Sequence, residues 1–362
     1  MNGHSNGTSG GFLSFNSQAP RLFITAEDEE FDLETIQHWK DEGYEVSYHP
    51  MGEGGKVYAQ EVKSWSTSMK LGQHFGIIAY GDAAVCCLDI ATKPIPHCTA
   101  LICYYPTSIP HPNQKYPTNL NLVVHLAESQ GLAATFPTYV YPEVQDGFAE
   151  HDLDMFDAIA ADLTWTRSLT AIRKGLGQDA DLENVKDSFT TLSITEKNAT
   201  AAVALMSEKA HVNYAPTGTG GIGRRALFHF YKDFFIPGSP PTLKWKLISR
   251  TTGVDRVVDE MVVSFKHTQE VPWILPGVPP TNRFVQVPVV SIVAIRGDRL
   301  ISEHVYWDQA SVLVQIGALD PKFVPKQLAS KGCKKLPMMG ADEAKKVLNV
   351  SSVPSNLMID KW

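Results

Sequence analysis

The sequence predicts two domains of different class: a doubly wound α/β domain over residues 21–177 and an α+β domain over residues 189–320. Three observations predict this. The 362 residues are enough for two separate cores. From Arg21 onward, apolar runs of strand length alternate with amphipathic helical stretches. After residue 188 the order changes, with helices first and a run of strand-like stretches afterwards.

In the first half, RLFITA, YEVSYHP, FGIIAYG, ALICYY, NLVVHLA and PTYVYP read as six short strands. DLETIQHWKDEG, closed by Gly43, reads as a helix, as do KVYAQEVKSWSTSMKLG and the small-residue stretch after FGIIAYG. HDLDMFDAIAADLTWTRSLTAIRKGLG reads as a long amphipathic helix. Short connections between alternating strands and helices predict a mostly parallel sheet covered on both faces. Chemistry in such sheets sits at the carboxyl ends of strands.

Three strand ends bear on chemistry. AYGDAA, Ala79 to Ala84, has the small–x–nucleophile–x–small spacing of a nucleophile elbow, but Gly81 stands where a Ser or Cys belongs. Centring the elbow on Asp82 puts the bulky Tyr80 at a small-residue position, and Cys86 and Cys87 fall about a turn into the next helix, where core packing explains them. Glu128, in HLAES, could serve as a triad acid. In YPEVQDGF the place for a histidine is taken by Asp146. A lone carboxylate without nucleophile or base cannot run acyl transfer.

Polar QDADLENVKDS, residues 178–188, reads as a linker. SFTTLSITEKNATAAVALMSEKA and GRRALFHFYKDFF read as helices, with the glycine-rich TGTGGIG as a flexible lead-in, since it lacks the GK[ST] ending of a phosphate loop. LKWKLISRTTG, VDRVVDEMVVSFKHT, RFVQVPVVSIVAIRGD and RLISEHVYWD then predict a curved antiparallel sheet with the helices on one face. Residues 321–362 form a tail expected to pack back through Leu357, Met358 and Trp362, and residues 1–20 form a flexible lead-in.

Alternation names the candidate site. Val257, Asp259, Met261, Val263, Phe265 and His267 share one face of their strand, an apolar wall carrying two titratable groups. Burial would raise the pKa of Asp259 and lower that of His267, suiting both to proton transfer, although solvated strand-end residues or a satisfied internal pair explain them equally. Ile301, Glu303, Val305 and Trp307 share a face of the last strand, and Ser302, His304, Tyr306 and Asp308 the other. Asp308 is also placed to cap the helix that follows. Trp273, in PWILPGVPPT, sits on a loop beside this sheet that would serve as a lid or as a rigid hairpin. Phe265, Met261, Trp273 and Trp307 are the candidate substrate contacts.

Two resemblances follow from these residues. From Arg21 to Gly177 the chain resembles the dienelactone hydrolase branch of the α/β-hydrolases, with Gly81 and Asp146 at the nucleophile and histidine positions. The implied reading is a hydrolase fold without its chemistry. From about Asn184 to Asp320 it resembles the NTF2-like, SnoaL-type polyketide cyclase superfamily, through VDEMVVSFKHT, PWILPGVPPT and EHVYWDQASVLVQIG. That resemblance implies acid–base chemistry in a cone-shaped cavity with no cofactor or metal, and a homodimer formed through the sheets. Asp308 is the motif match to that superfamily's base, while Asp259 and Glu303 are the physical candidates; Tyr306 or His267 would stabilise an enolate oxygen. The expected function is cyclisation or isomerisation of a small polyketide- or lactone-like carbonyl compound. Its rivals are a non-catalytic binding or assembly protein and a hydrolase with an unconventional nucleophile.

Composition sets the remaining expectations. A net charge of -7 disfavours nucleic acid and anionic membranes as partners. The start has no secretory leader pattern and no apolar run is long enough to span a bilayer. Five cysteines without zinc spacing predict reduced thiols and a cytoplasmic protein.

Overall fold

The computed structural model describes residues 19–359, so most of the expected flexible lead-in, and Trp362, lie outside the described residues. The chain falls into two compact units, one ending at Gln178 and the other beginning at Asp179.

The first unit is built on six parallel strands: β1 (Arg21–Thr25), β2 (Glu45–Tyr48), β3 (Phe75–Tyr80), β4 (Cys98–Tyr104), β5 (Asn121–Ala127) and β6 (Thr138–Tyr141). Their order is β2-β1-β3-β4-β5-β6. All six match the runs read from the sequence, because each is a short apolar stretch bounded by turn residues; β3 is buried along its whole length. The helices are α1 (Leu33–Asp41), α2 (Gly55–Ser64), α3 (Gly81–Ile90) and α4 (Ala158–Leu176). Local caps set their ends. Asp32 accepts from Glu34 N at the start of α1, Asp157 accepts from Ala160 N at the start of α4, and Gly177 closes α4 at φ 63°. The long helix therefore begins seven residues after His151, and residues 151–157 are turns and loop. Helix α4 lies close on the sheet, since a Cβ on Gly175 would come within 2.7 Å of the Thr99 carbonyl oxygen.

The second unit begins with a correction. Residues 178–188 are not a loop-like linker: Leu182–Thr190 form helix α5, capped by Asp181. Leu182, Lys186 and Phe189 are its buried face, at the i, i+4, i+7 spacing of a helix stripe. Its abundant charge marks the solvated face. The helix continues through a wide turn over Thr191–Thr195, and α6 (Ala199–Ala204) follows.

A second correction concerns MSEKA, whose residues predict the end of a helix. Met206–Tyr214 is strand β7, because Met206, Ala210, Val212 and Tyr214 are buried along it. Tertiary packing here overrides the helix propensity of Met, Glu, Lys and Ala. TGTGGIG is likewise not a helix lead-in. It turns at Gly218 and forms strand β8 (Thr219–Ile222), paired with β7. Gly220 is required there: at φ 130°, a Cβ would lie 2.0 Å from the Val212 oxygen.

Helix α7 (Arg224–Phe230) precedes the four expected strands, β9 (Lys244–Thr252), β10 (Arg256–Lys266), β11 (Phe284–Arg296) and β12 (Arg299–Trp307). The order is β8-β7-β12-β11-β10-β9. The sheet is mixed rather than purely antiparallel, since β12 pairs with β7 in parallel. Register shifts at Glu260/Met261 and Ala294/Ile295 mark bulges that bend the long strands. Helices α8 (Gln309–Ile316), α9 (Lys326–Ala329) and α10 (Ala341–Leu348) complete the unit. Helix α10 lies against β11 and α8, and Ala344 and Val353 are buried in this region, whereas Leu357 and Met358 are exposed.

Trp273 lies at the centre of this core, not in a lid. It is fully buried, stacks on Trp245 at 5.4 Å and meets Tyr214 at 5.5 Å. Trp273→Ala is expected to lower stability by roughly 3–5 kcal/mol, the range for truncating a buried aromatic, read as a fall in the urea midpoint. A loss under 1 kcal/mol would place the ring outside the core.

Candidate active site

At the elbow of the first unit the backbone turn is present and the nucleophile is not. Gly81 holds φ +50°, and a Cβ there would meet the Glu27 carboxylate at 2.1 Å. Glu27 accepts a hydrogen bond from Asp82 N, so a carboxylate caps α3 where a nucleophile's side chain would stand. The nearby thiols are not activated. Burial, with Asp82 and Asp89 adding, raises the Cys86 pKa; burial pushes Cys87 up to about 12. Glu128 and Asp146 are exposed. A serine–histidine contact does exist, His125 Nε2 to Ser168 Oγ at 2.9 Å. Both residues are fully buried, and burial lowers the His125 pKa to about 3. Tyr141 and Tyr104 complete that network at 2.9 Å each. It holds α4 to the sheet and is closed to a substrate.

The second unit contains a cavity of about 190 Å³. The sheet builds one wall through a cross-strand row: Arg250 on β9 faces Asp259 on β10, Asp259 faces Ser291 on β11, Ser291 faces Val305 on β12, and Val305 faces Tyr214 on β7. All five line the cavity, and Glu303 lies two residues from Val305 on the same face. Helix α5 packs over β10 and β12 and adds Lys186 and Phe189; Tyr231 and Trp245 close the remainder. The lining is thus an aromatic shell with Asp187 of α5 at its edge and two carboxylates of the sheet, Asp259 and Glu303, set into it.

The two carboxylates are held in different ways. Asp259, 2% exposed, is gripped at both oxygens by Arg250, Nε to Oδ1 at 2.6 Å and an NH2 nitrogen to Oδ2 at 3.0 Å. Arg250 also donates to Asp187 at 2.8 Å and Glu183 at 3.0 Å, which ties α5 to the sheet. Asp259 first, then Asp187 and Glu183, raise the guanidinium pKa. The guanidinium thus engages both oxygens of Asp259 in the two-pronged geometry that arginine and carboxylates favour.

Glu303 is held by one oxygen. Its Oε1 accepts from Lys186 Nζ at 3.0 Å and Ser291 Oγ at 2.8 Å. Among the described residues nothing donates to Oε2. Lys186 also lies 5.6 Å from the Phe189 ring centroid. The Tyr231 hydroxyl and Trp245 Nε1 are buried with no partner at hydrogen-bonding distance and angle, although Tyr214 and Glu303 lie close enough to Tyr231 to act on its hydroxyl. Burial raises the Tyr231 pKa well above its usual value, with Tyr214 and Glu303 adding to the effect. An open carboxylate oxygen and two unpartnered donors therefore share one small, mostly apolar space.

Of the residues singled out from the sequence, Asp259, Glu303 and Met261 line the cavity. The others do not. Phe265 and Trp273 are core. His267 is fully buried at the end of β10, takes Thr281 N on Nδ1 at 3.3 Å, and its pKa is lowered by burial. Asp308 caps α8, accepting from Ala310 N and Ser311 Oγ. Tyr306 is 46% exposed on the opposite face, and Trp307 donates to Gln309. Lys186, Ser291, Tyr231, Trp245 and Arg250 were missed. Ser291 had a visible signal, a polar residue inside VVSIV; Lys186 had one in the Leu182/Lys186/Phe189 stripe.

Breaking the pair at one end would leave a buried charge. Lys186→Met alone, or Glu303→Leu alone, is expected to cost about 3–5 kcal/mol, and the double variant is expected to recover most of it. Urea unfolding of the three variants measures this. Additive losses would mean that the two groups do not interact.

No family model matches the chain, and no curated protein matches it. Solved structures do. The chain is similar to a provisionally assigned SnoaL-like polyketide cyclase from Jannaschia sp. CCS1, at 18% identity over 40% of this chain and 100% of that one, with a TM-score of 0.32. It is similar to a protein with a ketosteroid isomerase-like fold from Catenulispora acidiphila, at 18% identity over 39% and 97%, with a TM-score of 0.28. It is also similar to an NTF2-like protein of unknown function from Cytophaga hutchinsonii, at 12% identity over 36% and 93%, with a TM-score of 0.26. At such scores these likenesses carry no argument about chemistry. No helix of the described residues is long and apolar enough to cross a membrane.

Proposed function

We propose that the cavity of the second unit is the active site of a cofactor-independent acid–base enzyme. Its substrate class is a small, partly apolar carbonyl compound of polyketide or lactone type, and its reaction an isomerisation or cyclisation. The observation that carries this reading is Glu303, held by Lys186 and Ser291 through Oε1 alone, in a space that also holds the unpartnered hydroxyl of Tyr231.

Size supports a small ligand. A cavity of about 150 Å³ takes a benzene ring, and this one is about 190 Å³. Glu303 Oε2 takes a proton from the carbon next to the carbonyl, and that electron pair moves onto the carbonyl oxygen. Tyr231 and Trp245 donate to the resulting enolate oxygen, their buried donors gaining the partner they lack. Return of the proton at a different carbon gives an isomer; attack of the enolate carbon on a second carbonyl closes a ring. Lys186 and Ser291 position the carboxylate, and Arg250 with Asp259 holds the wall.

Exchange of α-protons in D2O, followed by NMR over a panel of diketones, hydroxyaromatics and lactones, tests this. Glu303→Gln is expected to slow exchange by about 10²–10⁴-fold, the usual contribution of a general base, and Tyr231→Phe to lower kcat more than KM. Exchange that persists in Glu303→Gln removes Glu303 as base. Binding without exchange for every compound would favour a non-catalytic binding module.

A further inference from the structure

The first unit carries a second constellation, unrelated to the cavity. Glu34 and His38 stand one turn apart on α1, with Glu34 Oε1 3.6 Å from His38 Nε2. His151, from the turns between β6 and α4, meets His38 edge-on at 5.0 Å between ring centroids. One donor atom from each of Glu34, His38 and His151 lies within 4.8 Å of the others.

Asp32 gives this group its chemistry. It is buried, and its Oδ2 accepts from His151 Nδ1 at 2.8 Å, His151 N at 2.9 Å and Thr35 Oγ1 at 2.6 Å. A histidine whose Nδ1–H is held by a carboxylate is fixed in the tautomer that leaves Nε2 with its lone pair. That is the outer-sphere arrangement found behind metal-ligating histidines. The rings are held as well: Phe156 stacks on His151 at 4.6 Å, and Trp165 meets His38 at 5.9 Å. The same aspartate caps α1 through Glu34 N, so one side chain fixes both the helix that bears two donors and the histidine that supplies the third.

We propose that Glu34, His38 and His151 form a binding site for a divalent transition metal, zinc or a metal of similar preference, with Asp32 as the outer-sphere partner of His151. Two imidazoles and a carboxylate are a ligand set that such ions accept, and three protein ligands leave a coordination position open. Donors at the corners of a tetrahedron with bonds of about 2.0 Å stand about 3.3 Å apart. The three donor atoms lie within 4.8 Å of one another, so each pair has at most about 1.5 Å to close to reach that spacing. The sequence hid the site because Glu34 and His38 are separated from His151 by more than a hundred residues.

The test is calorimetric titration of the metal-free full chain with Zn2+ alone, repeated with Co2+ to read its visible absorption. The expected result is one ion per chain. Binding is expected to be lost in His38→Ala and His151→Ala, weakened in Glu34→Gln, and weakened about 10–100-fold in Asp32→Asn. Thermal unfolding without metal keeps a folding defect separate from a binding defect, and Glu34→Gln, at a part-exposed position, is the variant expected to fold normally. His211→Ala/His304→Ala, which removes a different close histidine pair, is expected to bind as the parent does. Absence of Zn2+ binding, binding unchanged in Glu34→Gln and His38→Ala, or binding lost in the His211/His304 variant would each overturn the assignment.

Discussion

The second unit depends on a buried ion pair between Lys186 and Glu303. Taking an ammonium and a carboxylate out of water costs several kcal/mol per ion, repaid only where geometry is good and remaining polar atoms find partners. Ser291 supplies one such partner, and the pair bridges α5 to the middle of the sheet. Lys186 can reach Glu303 only because Leu182 and Phe189 anchor the same helix face. Arg250 reinforces that placement from the rim, binding Asp259 on one side and two acids of α5 on the other. Moving α5 away would take Lys186 from Glu303 and both Asp187 and Glu183 from Arg250, so closing the cavity wall and setting its charge pattern are one event.

The same constraint sorts the acids by use. Asp259 is structural because a guanidinium occupies both of its oxygens. Glu303 keeps an oxygen open because its partners, an amine and a hydroxyl, both approach Oε1. The distinction rests on geometry between strands and helix and has no expression in local sequence. The first unit makes a parallel point. Its strand-to-helix turn has the positive φ of an elbow, yet Glu27 fills the space above Gly81. A turn of that shape is therefore no evidence of hydrolysis by itself.

Much of the fold was legible, for definite reasons. The six strands of the first unit are apolar runs cut by Gly, Pro and polar turns, a pattern with few other readings. The inner faces of β10 and β12 follow from period two, which put Asp259 with Met261 on one face and Glu303 with Val305 on the other strand's face; the pairing of the strands brings them to one cavity. What failed were segments where composition and packing disagree. Residues 178–188 are charged enough to look like a linker, and MSEKA is made of helix formers within a strand. The first error hid the cavity's other half, since Lys186 and Asp187 lie on that segment. His267, Asp308 and Tyr306 illustrate another limit: a titratable residue on or beside a half-apolar strand serves equally well as a buried end, a helix cap or an outward-facing group. Tyr231 and Trp245 could not be found from sequence, because an unpartnered donor is defined only by its surroundings.

The most direct test of the account is a crystal structure of the full chain with a small phenolate that mimics an enolate. The account predicts the ligand in the cavity of the second unit, its oxygen within hydrogen-bonding distance of Tyr231 or Trp245 and its ring edge beside Glu303 Oε2, with Lys186 still on Oε1. A ligand seated elsewhere, or one that enters with its oxygen turned to Arg250 and displaces Asp259, would contradict it.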